Sequence, residues 1–564
     1  MKFHEFKYVR PDIQKTVEQF NGVLEKFNSA KSCEKQNTVM EDIYLLRSEF
    51  ESMGQIASIR HTIDTTDKYY EDEQDYFDEN MPIYEGLISK YYYSLINSKY
   101  RAQLETKLGK QLFILAELTL KTFKPEIIED LQVENKLSSQ YTKLIASAKI
   151  MFEGEERNLS GLIPFMMSTD RTMRKKANEA KYSFFIENES EFDRIYDELV
   201  KVRSKIAWKL GYENFTQLGY DRLNRSDYNP QMVANFRKQV ERYIVPVAQG
   251  LRERQRIRLG LDTLKYYDEK LIYKSGNAKP NGDSQWIINN ARKMYTEVSP
   301  ETEEFFNFMT ENELLDLVTK KGKAGGGYCT YISEYKSPFI FSNFNGTSDD
   351  IDVLTHEAGH AFQIYLSREY KTLEYHFPTL EACEIHSMSM EFLTWPWMYL
   401  FFNDNTDKYK FSHLSESLLF IPYGVAVDEF QHFVYSNPDA SPIERKNVWT
   451  QIEKKYLPHR DYEDNNYLKR GGYWHQQGHI FNNPFYYIDY TLAQVCAFQF
   501  WKRYQEDSKN TWIDYVELCK AGGSKSFVEL VELANLISPF NDGCIESVIG
   551  TIENWLNNAQ DEKF

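Results

Sequence analysis

Within VLTHEAGHAF (353–362), His356 and His360 stand four residues apart and Glu357 directly follows the first. On an α-helix, positions i and i+4 lie about 40° apart around the axis and one turn along it, so both imidazoles project from one face. Their nitrogens can then converge on one ion. Imidazole suits zinc, and a hydrolytic zinc takes three protein ligands and keeps a fourth position for water. Glu357 is turned toward the edge of that face. It is too far round to chelate with the pair, yet near enough to take a proton from water held there. The alternative is a surface helix with two solvated histidines, since His-Glu-x-x-His arises by chance in roughly 3% of such chains at most. Against it, Ile351, Val353, Leu354, Ala358, Ala361, Phe362 and Tyr365 surround the motif and predict a buried helix. Buried histidines need partners.

A third ligand must come from elsewhere. PTLEACEIHSMSMEFLTW (378–395) reads as a helix opened by Pro378 and closed by Pro396. It offers Glu381 and Glu384, which periodicity does not separate. Glu384 shares its face with Met388 and Glu391, so Glu391 is placed to steady the site from behind. His386 points about 200° away from Glu384 and reads as a packing or hydrogen-bonding histidine.

Histidine is otherwise concentrated late in the chain, with only His4 and His61 before residue 356. RGGYWHQQGHIFNNPFYYIDYTLAQ (470–494) sets two histidines and four tyrosines beside glycines. The plain reading is a glycine-bearing turn followed by an aromatic core helix. The chemical reading is that a zinc hydrolase needs donors for the oxyanion of its tetrahedral intermediate, which tyrosine hydroxyls or a histidine supply. Tyr487 and Tyr490, at i and i+3, can share a face.

The elements that must position these groups are legible. GGGYCTYISEYKSPFIFSNFNGT (325–347) reads as two short strands, near 328–332 and 338–344. Thr347 or Ser348 then serves as a helix cap, with Asp349, Asp350 and Asp352 in the first turn to complement the helix dipole. FIFSNFNG (339–346) is expected either as a core strand or as an edge strand that pairs with extended peptide substrate. In the second case Ser342, Asn343, Phe344 and Gly346 are the substrate-binding candidates, and Gly325 to Gly327 permit close approach of a peptide. Upstream, Val17, Phe20, Val23, Leu24 and Phe27 form an amphipathic helical stripe. IMFEGEERNLSGLIPF (150–165) breaks the helical pattern as a hairpin or a lobe boundary. We therefore expect an N-terminal helical lobe over 1–165 and a catalytic domain over 166–564. Helical stripes run from about 170 to 260, and 274–284 reads as a loop.

Composition narrows the function. A formal net charge of −17 over 564 residues argues against nucleic acid as a partner. The most basic run, RERQRIRLG (252–260), is expected on a solvated helix face. No stretch approaches the roughly 18–20 apolar residues of a membrane span, and the amino terminus lacks the apolar core of a secretory signal. Six scattered cysteines without a CxxC pair suit reduced thiols in a cytoplasmic protein. The 40 Tyr and 37 Phe suggest broad amphipathic surfaces.

HEAGH followed by the E-x-x-S-x-x-x-E pattern of EIHSMSME (384–391) resembles the zinc oligopeptidases related to thimet oligopeptidase, and among them the bacterial oligoendopeptidase F group. The resemblance covers most of the chain from about 170 onward and implies Glu384 as the third ligand. Glu381, whose spacing from His360 is near that of thermolysin-like enzymes, is the runner-up. The family's histidine and Y-x-x-Y segment match His479, Tyr487 and Tyr490, with a gap about one residue shorter than in the thimet branch; Tyr486 receives no role. What the resemblance implies is a mainly α, multihelical peptidase, two-lobed around a deep central channel, with a small β-sheet beside the catalytic helix. The expected function is zinc-dependent endopeptidase action on short oligopeptides, with one zinc ion per chain, Glu357 as general base and no nucleic-acid or membrane partner. Two rivals are an aminopeptidase, which needs an acidic anchor for the free amine that we do not find, and a non-catalytic helical zinc protein. The sequence carries no signal for the oligomeric state.

Overall fold

The computed structural model describes residues 1–320 and 322–564. About 72% of the chain is helical and the sheets are small, as expected. It opens with α1 (Ile13–Ser29), α2 (Cys33–Ile63) and α3 (Lys68–Ile96). Asp12 caps α1 by accepting from the amides of Gln14 and Lys15, and the α1 stripe buries Phe20, Leu24 and Phe27. These helices share a core of their own with Ile43, Leu87, Tyr91 and Leu95, into which Tyr375 inserts from far along the chain.

After α4 (Ile128–Ala146), the break read over 150–165 contains a hairpin in which β1 (Ile150–Phe152) pairs antiparallel with β2 (Glu155–Arg157). Helices α5 (Arg171–Glu187), α6 (Glu189–Leu210) and α7 (Val245–Leu259) carry the stripes expected from 170 to 260. The basic run on α7 departs from the expected solvated face. Arg258 is buried in an ion pair with Asp561. With Arg252, it lines a recess of about 230 Å³ that also holds Glu269, Glu416 and Arg460. Arginines this close to carboxylates gain by turning inward.

Strands β3 (Leu315–Val318), β4 (Tyr328–Ile332) and β5 (Ser337–Phe344) form one sheet in the order β3-β5-β4. β4 and β5 fall where the β-branched and aromatic residues place them. β3 was not foreseen, because four residues are too few for an alternation to declare itself. The order decides between the two expectations for 339–346: β5 is the central strand and not an edge. It pairs parallel with β3 through Leu315 and Ile340, and antiparallel with β4 through Cys329 and the same Ile340. Ser342 and Phe344 are buried, the Ser342 carbonyl accepts from Lys323 Nζ, and the Asn343 amide donates to the carbonyls of Ala324 and Gly326. Gly346, at φ +83°, makes the turn out of the strand. Of these four, Phe344 is paired with Val318 of β3, and Gly346 lies beyond the strand. The edges of the sheet belong to β3 and β4.

The sheet feeds α8 (Asp349–Ser367), which packs against α9 (Leu380–Leu393). The long α10 (Thr406–Ser436), then α11 (Tyr487–Glu506) and α12 (Ser508–Ala521), complete the surround. Neither Thr347 nor Ser348 caps α8 through its side chain. Instead the Asp350 carboxylate reaches back to the amides of Asn345 and Gly346, at 2.8 Å each, and locks the strand-to-helix turn. One glycine sets the helix spacing: a Cβ on Gly359 would lie 2.7 Å from both His386 O and Ser387 Cα. Only glycine lets α8 and α9 approach this closely. Among the described residues, no helix is long and apolar enough to cross a membrane, and all six cysteines are free.

Candidate active site

The close approach of α8 and α9 brings together three donors. Glu384 Oε2 lies 3.3 Å from His356 Nε2 and 3.7 Å from His360 Nε2. One ligand atom from each of the three residues lies within 4.8 Å of the others, and among the described residues this is the one group of three or more such side chains. Zinc bonds of about 2.1 Å arranged tetrahedrally put neighbouring donors roughly 3.4 Å apart, so the set fits that ion. Burial holds His360 near pKa 4, a neutral imidazole with a free lone pair. Burial also disfavours the charged form of His356, but Glu384 and Glu391 outweigh it and raise its pKa. Burial alone would raise the Glu384 carboxyl; His356, His360 and Tyr486 reverse this and bring it to about 2. Glu381 does not join the set. It is fully buried, faces Arg225, and burial pushes its carboxyl up to about 7.

Behind His356 runs a fixed chain of partners. Its Nδ1 lies 2.7 Å from Glu391 Oε1, and Glu391 Oε2 lies 2.7 Å from His413 Nε2. Trp395 Nε1 donates to His413 Nδ1 at 3.2 Å. An indole only donates, so His413 Nδ1 accepts and the ring proton sits on Nε2, pointing at Glu391. Glu391 therefore receives two N–H groups and keeps the His356 Nδ1 proton on its own side, which turns Nε2 toward the donor set. Glu391 stands where the sequence places it; His413 and Trp395 were missed, because no spacing links them to the motif.

Glu357 is 8% exposed and its Oε2 has no partner. Burial raises its carboxyl to about 7. It lies beside the glycine run ahead of β4: a Cβ on Gly327 would sit 3.7 Å from Glu357 Oε1. His386 is fully buried, with its ring 6.5 Å from that of Tyr515, and is not among the three donors.

The second cluster faces the first. The His479 ring packs 5.0 Å from Tyr487 and 5.8 Å from Tyr490, and its Nδ1 meets Gln477 Nε2 at 2.9 Å. Burial, then Glu384, then Asp489 and Glu357 among its neighbours hold the Tyr490 phenol protonated. Tyr487 turns toward Phe420 and Tyr423. The residue that touches the donor set is Tyr486, which the sequence reading left without a role: its hydroxyl donates to Glu384 Oε1 at 3.0 Å. Ser387 Oγ donates to Glu384 Oε2 at 3.1 Å. Adjacent tyrosines differ by about 100° around a helix; spacing does not say which of them meets the carboxylate.

Comparison with known proteins agrees with this arrangement. Residues 3–123 match the peptidase M3 N-terminal domain, and residues 165–548 match peptidase family M3. The chain is 22% identical over 419 residues to oligopeptidase PepF of Bacillus subtilis (strain 168), covering 71% of this chain and 60% of that protein. It is 21% identical over 575 residues to an oligoendopeptidase F homologue of Lactococcus lactis subsp. lactis (strain IL1403), covering 94% and 90%. The solved structure of PZ peptidase A with an inhibitor superposes with TM-score 0.95 at 63% identity over the full length of both chains. A structure assigned as an oligoendopeptidase F from Bacillus anthracis str. Ames gives 0.91 at 59% identity, covering 100% of this chain and 99% of that one. With two-thirds of its length matching one family and the motif residues meeting in space, the chain belongs to peptidase family M3 and is related to the oligoendopeptidases F.

Proposed function

We propose that the protein is a zinc-dependent endopeptidase that hydrolyses internal bonds of short oligopeptides. The observation that carries this reading is the convergence of His356, His360 and Glu384 beside the buried, unpartnered carboxylate of Glu357. Those three residues would hold one zinc ion per chain, which supplies Lewis-acid polarisation of the scissile carbonyl and acidifies water. Glu357 accepts the proton of the attacking water at Oε2 and returns it to the leaving amine nitrogen. A carboxyl near pKa 7 suits both transfers. The protonated Tyr490 phenol donates to the developing oxyanion. Tyr486 keeps Glu384 in place, while His479 and Tyr487 line the wall. The edge strand β4, in place of β5, takes the extended backbone of the peptide. The names of the relatives, oligopeptidase and oligoendopeptidase, favour short peptides as substrates.

The test uses an internally quenched peptide blocked at both ends. Cleavage that a chelator abolishes and zinc restores is expected. Failure to cut in zinc-replete protein overturns the reading, and cleavage only of peptides with a free amine turns it into an aminopeptidase.

A further inference from the structure

Eight non-glycine residues among those described adopt positive φ; seven are Asn, Glu or Lys, and the eighth is Phe485 at +68°. A bulky aromatic residue in the left-handed region is an outlier that its surroundings must impose. Here they do so from three sides. The Phe485 amide donates to Gln431 Oε1 at 2.9 Å. Its carbonyl accepts from Arg225 Nη2 at 2.6 Å. Its ring is fully buried against Tyr220, His432 and Tyr435. The socket is open only because residue 219 is glycine: a Cβ there would come within 2.7 Å of Phe485 Cδ2. A phenylalanine that merely filled the core would need none of this backbone restraint.

The restraint sits directly before the tyrosines. Tyr486 follows Phe485 and donates to Glu384 Oε1 at 3.0 Å, and the Tyr490 ring packs 5.0 Å from that of Tyr486. The same Arg225 Nη2 that holds the Phe485 carbonyl also pairs with Asp489, the residue before Tyr490. One buried guanidinium thus fixes the chain immediately ahead of both phenols, and Gln431 on α10 fixes it from the opposite side.

We propose that Phe485 is a backbone pivot that aims Tyr486 at Glu384 and Tyr490 into the site, with Gln431 and Arg225 as the positioning residues that hold it. The proposal rests on Glu384 being a metal ligand. A carboxylate ligand whose second oxygen loses its donor binds zinc less well, and such supporting contacts are typically worth 10- to 100-fold in metal affinity. Gln431 is fully buried, hydrogen-bonds to Val427 O and Phe485 N, and is not among the three donors, so an effect of its loss on zinc is expected to pass through the pivot.

The experiment measures zinc affinity by competition with a chromophoric chelator for Gln431→Met, Tyr486→Phe and the double variant, all otherwise full-length. Each single variant is expected to bind zinc about tenfold more weakly. The double variant should be no weaker than Tyr486→Phe alone, because both changes break the same contact. Additive losses, or full affinity in Gln431→Met, overturn the pivot. A crystal structure of Gln431→Met gives a readout that needs no metal: Tyr486 leaving Glu384 supports the pivot, and Tyr486 in place refutes it. If Gln431→Met does not fold, Phe485→Leu, which fits the socket poorly and disfavours positive φ, enters the same cycle. His360→Ala separates the two ideas, since undiminished zinc binding there removes the metal reading and leaves the crystallographic test of the pivot standing.

Discussion

At the scale of single residues, the environment assigns roles that residue type leaves open. Glu381 and Glu384 lie on one helix three residues apart, yet one is locked away beside Arg225 and the other meets two imidazoles. Glu384→Ala should therefore abolish stoichiometric zinc in metal analysis of purified protein, while Glu381→Ala keeps it; the opposite result would exchange them. Glu357→Gln should keep zinc and lower kcat by about 10²–10⁴, because it removes the proton acceptor and nothing that binds metal. Near-normal turnover would remove Glu357 from that role. The raised pKa of His356 adds a dependence on pH. Zinc and a proton compete for the same nitrogen, so below that pKa each unit of acidification should cost roughly tenfold in apparent zinc affinity, and above it the dependence should flatten. Isothermal titration across pH checks the sign. The His356, His360 and Glu357 grouping was legible because helical geometry alone aligns it. Tyr486, His413 and Trp395 were not, since their contacts depend on how separate helices dock.

Among elements, the informative result is the sheet. β4 and β5 were visible as apolar runs between glycines, but which of them forms the edge depends on β3, a four-residue strand that pairs in parallel from a distance. Composition within a strand does not encode its neighbours, so the sequence leaves open whether 339–346 is an edge or a core strand, and the order β3-β5-β4 makes it central. The boundaries of α9 were read to within two residues, because prolines flank it and proline is tolerated outside helices more readily than within them. The spacing between α8 and α9 rests on Gly359. Alanine there gains about 1 kcal/mol of helix propensity, but its methyl meets backbone atoms that cannot yield, and such overpacking costs about 1–3 kcal/mol. We expect Gly359→Ala to lower stability in denaturant titrations and to weaken zinc binding, as α9 is pushed away with Glu384. Unchanged values for both would show that the two helices have slack.

Across the whole molecule, the N-terminal helices do more than cover the core. α2 backs the edge strand beside Glu357: Thr330 Oγ1 donates to Gln55 Oε1 at 2.7 Å, and the Tyr328 hydroxyl meets Thr62 Oγ1 at 2.7 Å. Phe50, Met53, Ile56 and Ile59 of α2 belong to the main core, and a plug at residues 373–375 adds a second attachment for the N-terminal helices. Tyr375 sits in their core and donates to the Leu108 carbonyl at 2.7 Å, while Glu374 pairs with Arg47 and accepts from Tyr92. Both members of the pair are buried, their side chains 8% and 6% exposed. Burial alone would raise the Glu374 carboxyl, but Arg47 outweighs it and holds it below its ordinary value. The contribution of this pair is therefore present above the ordinary carboxylate range and lost as pH falls through the depressed pKa. Glu374→Ala leaves the buried Arg47 guanidinium with Glu51 alone, at 3.4 Å, and should cost up to about 3 kcal/mol, the low end of the range for breaking a buried pair. Because the loss falls at the seam and not at the donor set, KM for peptides should rise as the backing of β4 loosens, while zinc content stays at one per chain. Limited proteolysis should cut the N-terminal helices first. Wild-type KM together with an unchanged cleavage pattern would mean that the N-terminal helices merely adjoin the site and do not shape the edge proposed to take the peptide.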